Sequence, residues 1–170
     1  MLRREIRPKT DRQNQNKDQG GSGIEEAVLK PRRVATKRPG GANMHYSVLT
    51  AAGDRHGMIG IGLAKSKEMS AAIQKSKDKA RRSMVKIILT ENGSIPHEVY
   101  IKNGASILFL KPAPLGAGIM AGGSVRQILD LAGIKNISVK IIGTNNQISN
   151  AYTVLKALQS LRSIKKPEAK

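Results

Sequence analysis

Strand-like apolar content over residues 44–52 (MHYSVLTAA) and 58–63 (MIGIGL), separated by the Gly-bounded GDRHG, predicts a β-hairpin. Residues 27–36 (AVLKPRRVAT) predict the strand before it. After Lys65 the period changes. Met69, Ile73, Ser76, Ala80 and Met84 fall at helical spacing and predict a core-facing stripe. Lys75, Lys79, Arg82 and Lys86 step by fours and threes along the opposite face, with Lys77 and Arg81 beside them. VKIIL (85–89) and SIPHEVYI (94–101) flank TENG and predict a second hairpin, with Asn92 and Gly93 suited to positive φ. A first domain is expected to end there.

A second unit follows: an apolar strand at 105–113 (ASILFLKPA), a glycine loop, a helix over 124–132, a strand at 137–144 (ISVKIIGT) and a last helix over 149–164. The predicted class is α+β in two small domains, at 25–101 and 102–164. Residues 1–24, polar and ending in QGGSG, are expected to form a disordered basic arm, and 165–170 a tail.

Charge narrows the function. Thirty Lys and Arg against twelve Asp and Glu give a net charge of +18, and such a surface seeks a polyanion. Nucleic acid fits better than a membrane surface, because the chain has no Trp, one Phe and no apolar run of about 18 residues. With no cysteine there is neither a disulfide nor a thiolate metal site. His45, His56 and His97 share no ligand spacing, so no metal or cofactor is expected. His97 and Glu98, as neighbours in a strand, point to opposite faces and make no catalytic pair. No Gly-x-Ser-x-Gly elbow is present, and no catalytic residue is assigned. The three Tyr and one Phe are scattered, which leaves no evident platform for stacking bases.

The chemistry concentrates in PAPLGAGIMAGGSVRQILDLAG (112–133), where Gly116, Gly118, Gly122 and Gly123 precede a helix. Such a turn offers backbone N–H groups and the positive end of a helix dipole to an anion, with Arg126 one turn inside. Neither a Walker-type loop nor a dinucleotide fingerprint is matched, since no Lys-Ser or Lys-Thr pair follows and Lys140 stands near the place of the acidic residue. The alternative is that Gly122 and Gly123 only permit close helix–strand packing. KRPGGANM (37–44) reads as a basic hairpin tip or as a solvated turn.

Taken together, RVATKRPGG, GDRHGMIGIGLAKSKE, AAIQKSKDKARR, SIPHEV, LFLKPAPLGAGIMAGGSVRQILDLAGIKNI and IGTNN resemble the small-subunit ribosomal protein S-five family, in order and spacing, over about residues 25–161. The resemblance implies a first domain similar to a double-stranded-RNA-binding domain and a second with a left-handed β-α-β crossover. It also implies a bacterial-type ribosomal constituent, cytoplasmic or organellar, that binds small-subunit rRNA and supports assembly and accuracy near the site where mRNA enters. Expected neighbours are ribosomal proteins S-four, S-eight and S-three, with no membrane. The alternatives are a kinase-like phosphate-binding enzyme, for which Asp130 is the one acid of the second domain before Glu168, and a free duplex-RNA module.

Carried over by position, the resemblance implies rRNA contacts at Arg33, Lys37, Arg38, Gly40 and Gly41, and at Arg55, Gly57, Gly60, Gly62 and Lys65. In the second domain it implies Lys111, Gly116, Gly118, Gly122, Gly123, Arg126, Thr144 and Asn145, while Asn103, Gly104, Ala105 and Ser106 fall where the S-four contact is expected. The chain departs from the family pattern at Pro39, Ala42, Ile107, Gln147 and Tyr152.

Overall fold

In the computed structural model of the chain, the described residues are 23–162. Nearly all of the expected arm, and the expected tail, lie outside them. The first sheet has the order β1-β2-β3-β4. β1 (Glu25–Arg38) and β2 (Gly41–Gly53) pair antiparallel from Glu25↔Gly53 to Arg38↔Gly41, with an irregularity between Val28 and Lys30. β3 (Met58–Ser66) pairs with β2 only from Gly53 back to Tyr46, and β4 (Val85–Lys86) meets β3 at Met58 and Ile59. Beyond the Arg33–Tyr46 pair the β1–β2 ladder therefore continues as a two-stranded ribbon over residues 34–45, and residues 31–44 are exposed throughout.

α1 (Met69–Arg82) lies on this sheet through a stripe of small side chains, Ala72, Ser76 and Ala80, all buried. The stripe is narrower than the spacing predicted: Met69 is 41% exposed, Met84 lies beyond the helix end, and Lys86 belongs to β4. Small residues prevail because the helix rests directly on the β3 backbone. A Cβ at Gly62 would stand 2.1 Å from the Ser76 carbonyl oxygen, and one at Gly60 2.1 Å from that of Ala80. A buried hydroxyl pair, Thr50 Oγ1 and Ser76 Oγ at 2.7 Å, joins the layers.

No hairpin forms over 85–101. Ile87 and Ile95 are both buried in the core, and beyond the local turn at Thr90–Ser94 the segment's backbone bonds to other parts of the chain. Gly93 O accepts from the N–H groups of Lys135 (2.7 Å) and Asn136 (3.1 Å), while the Ile87 N–H donates to Gly57 O at 2.7 Å. Gly93 has φ +64°, whereas Asn92 stays in the ordinary region. His97 and Glu98 precede the next strand instead of lying in it.

The second sheet has the order β5-β6-β8-β7: β5 (Val99–Asn103), β6 (Ser106–Pro112), β7 (Ile119–Met120) and β8 (Ile137–Gly143). Residue 101, expected to close the first domain, lies inside β5, which pairs with β6. β7, unforeseen within the glycine loop, pairs parallel with β8 across α2 (Gly123–Leu131). α3 (Gln147–Gln159) starts two residues before the predicted helix and ends before Ser160. α2 and α3 cover the sheet face that buries Leu108, Leu110, Ile137 and Val139, in a core continuous with Leu49, Ile59 and Ile61 of the first sheet.

A shared helix end joins the two halves. After α2, the N–H groups of Gly133 and Ile134 donate to the carbonyls of Asp130 and Leu129, a Schellman closure in which Gly133 has φ +83°. The next two carbonyls, of Leu131 and Ala132, accept from the N–H groups of Arg55 (3.0 Å) and Gly57 (3.1 Å) in the β2–β3 turn. That turn is held by Asp54, whose Oδ1 accepts from the N–H groups of His56 (2.8 Å) and Met58 (2.9 Å). Partial burial raises the Asp54 pKa, but the backbone donors of Met58, His56 and Asp54 itself outweigh it and leave the carboxyl below its ordinary 3.8. A lowered folded-state pKa places the stabilisation above the unfolded value and removes it as pH falls through the folded one. Asp54→Asn should therefore lower the melting temperature at neutral pH, by the equivalent of about 1 kcal/mol, and the gap from the parent chain should close below pH 3.8. Melting curves across that range check it.

Candidate nucleic-acid interface

The projecting ribbon carries Lys37 and Arg38 on β1, with Arg32 and Arg33 at its base, and turns through Pro39 and Gly40. Its five β1 residues beyond Arg33, 34–38, reach roughly 16 Å. Arg33 donates to the Met44 sulfur across the ribbon, and a Cβ at Gly40 or Gly41 would meet nothing within 4 Å. The tip is thus open on all sides, and its glycines answer to turn geometry alone.

The other expected contacts of the first sheet divide by burial. Lys65 is exposed at the end of β3. Gly57, Gly60 and Gly62 are buried, and the lack of a side chain at 60 and 62 is explained by the seating of α1. Arg55 has φ 58°, the one positive value at a non-glycine among the described residues, and it bonds Glu25 through Nε at 2.9 Å and its terminal nitrogen at 2.7 Å. Two more cations are engaged internally. Lys77 (3.0 Å) and Arg81 (2.5 Å) both hold the Glu26 carboxylate, whose side chain is 3% exposed.

The glycine loop is built differently from the expected row of open N–H groups. Those of Gly116 (3.1 Å) and Gly118 (3.2 Å) both donate to Oδ1 of Asn136, a buried residue whose Nδ2 donates to Asn92 O at 3.0 Å. Asn136, missed in the sequence, fixes the loop from beneath. What stays available is the start of α2. Gly122 is its N-cap without a side-chain cap, and no acid lies in the first turn. The N–H groups of that turn have no partner within the helix. Packing asks little of these glycines: a Cβ at Gly123 meets nothing within 4 Å, and one at Gly122 meets only the tip of Ile141 at 3.1 Å.

Arg126 and Gly123 line one groove with Ile119, Gln127 and Asp130. On the other side of the helix start, Gly122 lines a groove with Lys140 and Ile141, and Ile141 continues it to Gly143, Thr144 and Asn145. Thr144 is prearranged there: its Oγ1 accepts from the Asn146 N–H at 3.2 Å and its carbonyl from Asn150 Nδ2 at 3.1 Å. Asn145 is exposed. Gly122 and Lys140 therefore border one groove, and Asn145 a neighbouring one.

On the uncovered face of the second sheet, register brings together residues that look scattered in the sequence. Tyr100 stands opposite Phe109, which stands opposite Lys140; Lys102, Ile107 and Ile142 form the next row, and Lys111 lies opposite Ser138. Tyr100 is 65% exposed and Ile142 44%. At one end of this face is the turn 103–106. Gly104 and Ala105 are exposed there, and Asn103 Oδ1 accepts from Lys156 Nζ at 2.9 Å. Ser106 is fully buried, its hydroxyl bonded to Asn150 Oδ1 at 2.6 Å. It holds the turn from inside and presents nothing to a neighbour.

Among the described residues no cluster of His, Asp or Glu could hold a metal ion, and no helix is long and apolar enough to cross a membrane.

Residues 24–88 match the family description "Ribosomal protein S5, N-terminal domain", and residues 101–170 match "Ribosomal protein S5, C-terminal domain". The chain is 42% identical over 140 residues to the small ribosomal subunit protein uS5 of Thermus thermophilus, covering 82% of this chain and 86% of that one. It is 43% identical over 138 residues to uS5 of Chlamydia trachomatis, covering 81% and 84%. To uS5c of Pyropia yezoensis it is 37% identical over 152 residues, covering 89% and 87%. Both halves of the molecule are thus accounted for together, and the chain belongs to the ribosomal protein S5 family.

Proposed function

We propose that the chain is a structural constituent of a bacterial-type small ribosomal subunit, where it clamps rRNA by the phosphate backbone and works as a scaffold, not as an enzyme. Family membership supports the role, and it sets aside the kinase-like reading of the glycine loop. The observation that carries the mode of binding is the exposed cationic ribbon. A two-stranded hairpin is marginal in water, so a ribbon with nothing packed on either face is suited to lie against another surface. With a net charge of +18, that surface is a polyanion.

The rRNA contacts we assign are Arg33, Lys37, Arg38, Gly40 and Gly41 on the ribbon, Lys65 at the end of β3, and Gly122, Gly123, Arg126, Lys140 and Asn145 around the start of α2. Phosphates would sit on the N–H groups there, read by shape and not by base sequence. The turn at Asn103, Gly104 and Ala105 is assigned to ribosomal protein S-four. The adjoining face with Tyr100, Ile107, Phe109 and Ile142 has the apolar content of a protein contact. S-eight and S-three complete the expected neighbourhood, next to the place where mRNA enters.

Tagged full-length chain should co-sediment with small subunits at one copy each and persist through a salt wash. Recovery at the top of the gradient, or on any duplex RNA without preference, would overturn the reading. Gly123→Ala makes the test local. An added methyl has open space in the protein and favours a helix by about 0.5–1 kcal/mol, so stability should hold or rise. Incorporation in competition with the parent chain should nevertheless fall severalfold. Equal incorporation would remove the helix start from the interface.

A further inference from the structure

The five cations of α1 divide into two sets. Lys77 and Arg81 are both paired with the Glu26 carboxylate. Lys75, Lys79 and Arg82 lie on another flank, where with Lys65 they line a cleft beside Ala64 and Asp78. None of these four forms an ion pair among the described residues, and Asp78 is the single acid of the lining.

The cleft follows the outer edge of β3, which β4 leaves unpaired after Ile59. That edge is not available to an added strand, because its carbonyls are already taken: Leu63 O accepts from Lys79 Nζ at 3.2 Å, and Ile61 O from Ser83 Oγ at 2.9 Å. An acidic peptide docking by strand addition is therefore disfavoured. The lining has no aromatic residue on which a base could stack. Along the helix, Lys75, Lys79 and Arg82 rise by about 6 and about 4.5 Å, so their charges run in a line that a phosphodiester strand can follow.

We propose that the α1–β3 cleft is a further rRNA site, beside the ribbon and the start of α2, in which Lys75, Lys79 and Arg82 join Lys65 to grip the sugar–phosphate backbone. This rests on the ribosomal reading above. It adds to the ribbon and the start of α2 a third grip on RNA, in the first half of the molecule.

Lysine acetylation of assembled small subunits, read by mass spectrometry, tests it. Lys75 and Lys79 should be protected at least fivefold relative to the free chain, and ribonuclease digestion should abolish the protection. Protection that survives digestion would assign the cleft to a protein neighbour, and full reactivity would assign it to solvent; either result overturns the site while the chain's presence in the subunit upholds the ribosomal role. Absence of the chain from small subunits would end both. A second measurement uses purified protein and small-subunit rRNA. The triple variant Lys75→Gln, Lys79→Gln, Arg82→Gln should reduce the log–log salt slope of binding by about 2 to 3. Arg81→Gln, at a residue outside the cleft lining and held by Glu26, should leave the slope unchanged. An unaltered slope in the triple variant, with its melting curve intact, would refute the cleft.

Discussion

Gly62→Ala is expected to destabilise the protein by about 3 kcal/mol, far beyond the usual effect of one methyl group. The new Cβ would lie 2.1 Å from the Ser76 carbonyl oxygen and 2.6 Å from the Ala80 nitrogen, both backbone atoms of α1. No rotamer change relieves such an overlap, so the helix must lift from the sheet. Lifting it stretches the Thr50–Ser76 hydroxyl bond and opens space around Ala72 and Ala80, whose small side chains cannot fill it. Gly60→Ala should act in the same way, and the pair should be less than additive because one withdrawal of the helix serves both. Denaturant titration provides the test: a midpoint within error of the parent chain would mean that α1 does not rest on β3 as described.

Asn136→Ala is expected to cost nearly as much, about 3 kcal/mol, by a different route. The side chain satisfies three backbone groups at once, two N–H donors of the glycine loop and the Asn92 carbonyl, and the residue is 6% exposed. Each group left unpartnered in such a place costs about 1 kcal/mol or more. Amide hydrogen exchange separates this loss from general unfolding: Gly116 and Gly118 should exchange much faster, while amides in the middle of α3 keep their protection. Uniform acceleration across both halves would refute the local role.

The parts of the fold that were legible in the sequence are those set by neighbours along the chain. The β2–β3 hairpin announces itself through GDRHG, and α2 through its apolar spacing and the glycines before it. What escaped depends on partners far apart. Nothing near Gly116 indicates that its N–H belongs to an asparagine twenty positions on, and nothing near Lys77 or Arg81 points to Glu26. Tyr100 and Phe109 become neighbours only through the register of β5 on β6. The expected hairpin over 85–101 failed for the same reason, because Ile87 and Ile95 find a core made by both sheets. Among the candidate contacts, charge and glycine content pointed to the ribbon and the start of α2, but they could not distinguish a glycine required by an overlying helix, such as Gly60, from one left bare at the surface, such as Gly123.

The docking of the β2–β3 turn on the end of α2 has a consequence for synthesis. The nascent chain releases Arg55 and Gly57 well before Leu131 and Ala132, the acceptors of their N–H groups, have been made. Until then the amino-terminal sheet is incomplete on one flank, so the final commitment to structure comes with translation of the carboxy-terminal half. Truncation between the halves should accordingly yield fragments prone to aggregation, and circularly permuted chains that keep this latch should tolerate new termini better at the ribbon tip than in the turn.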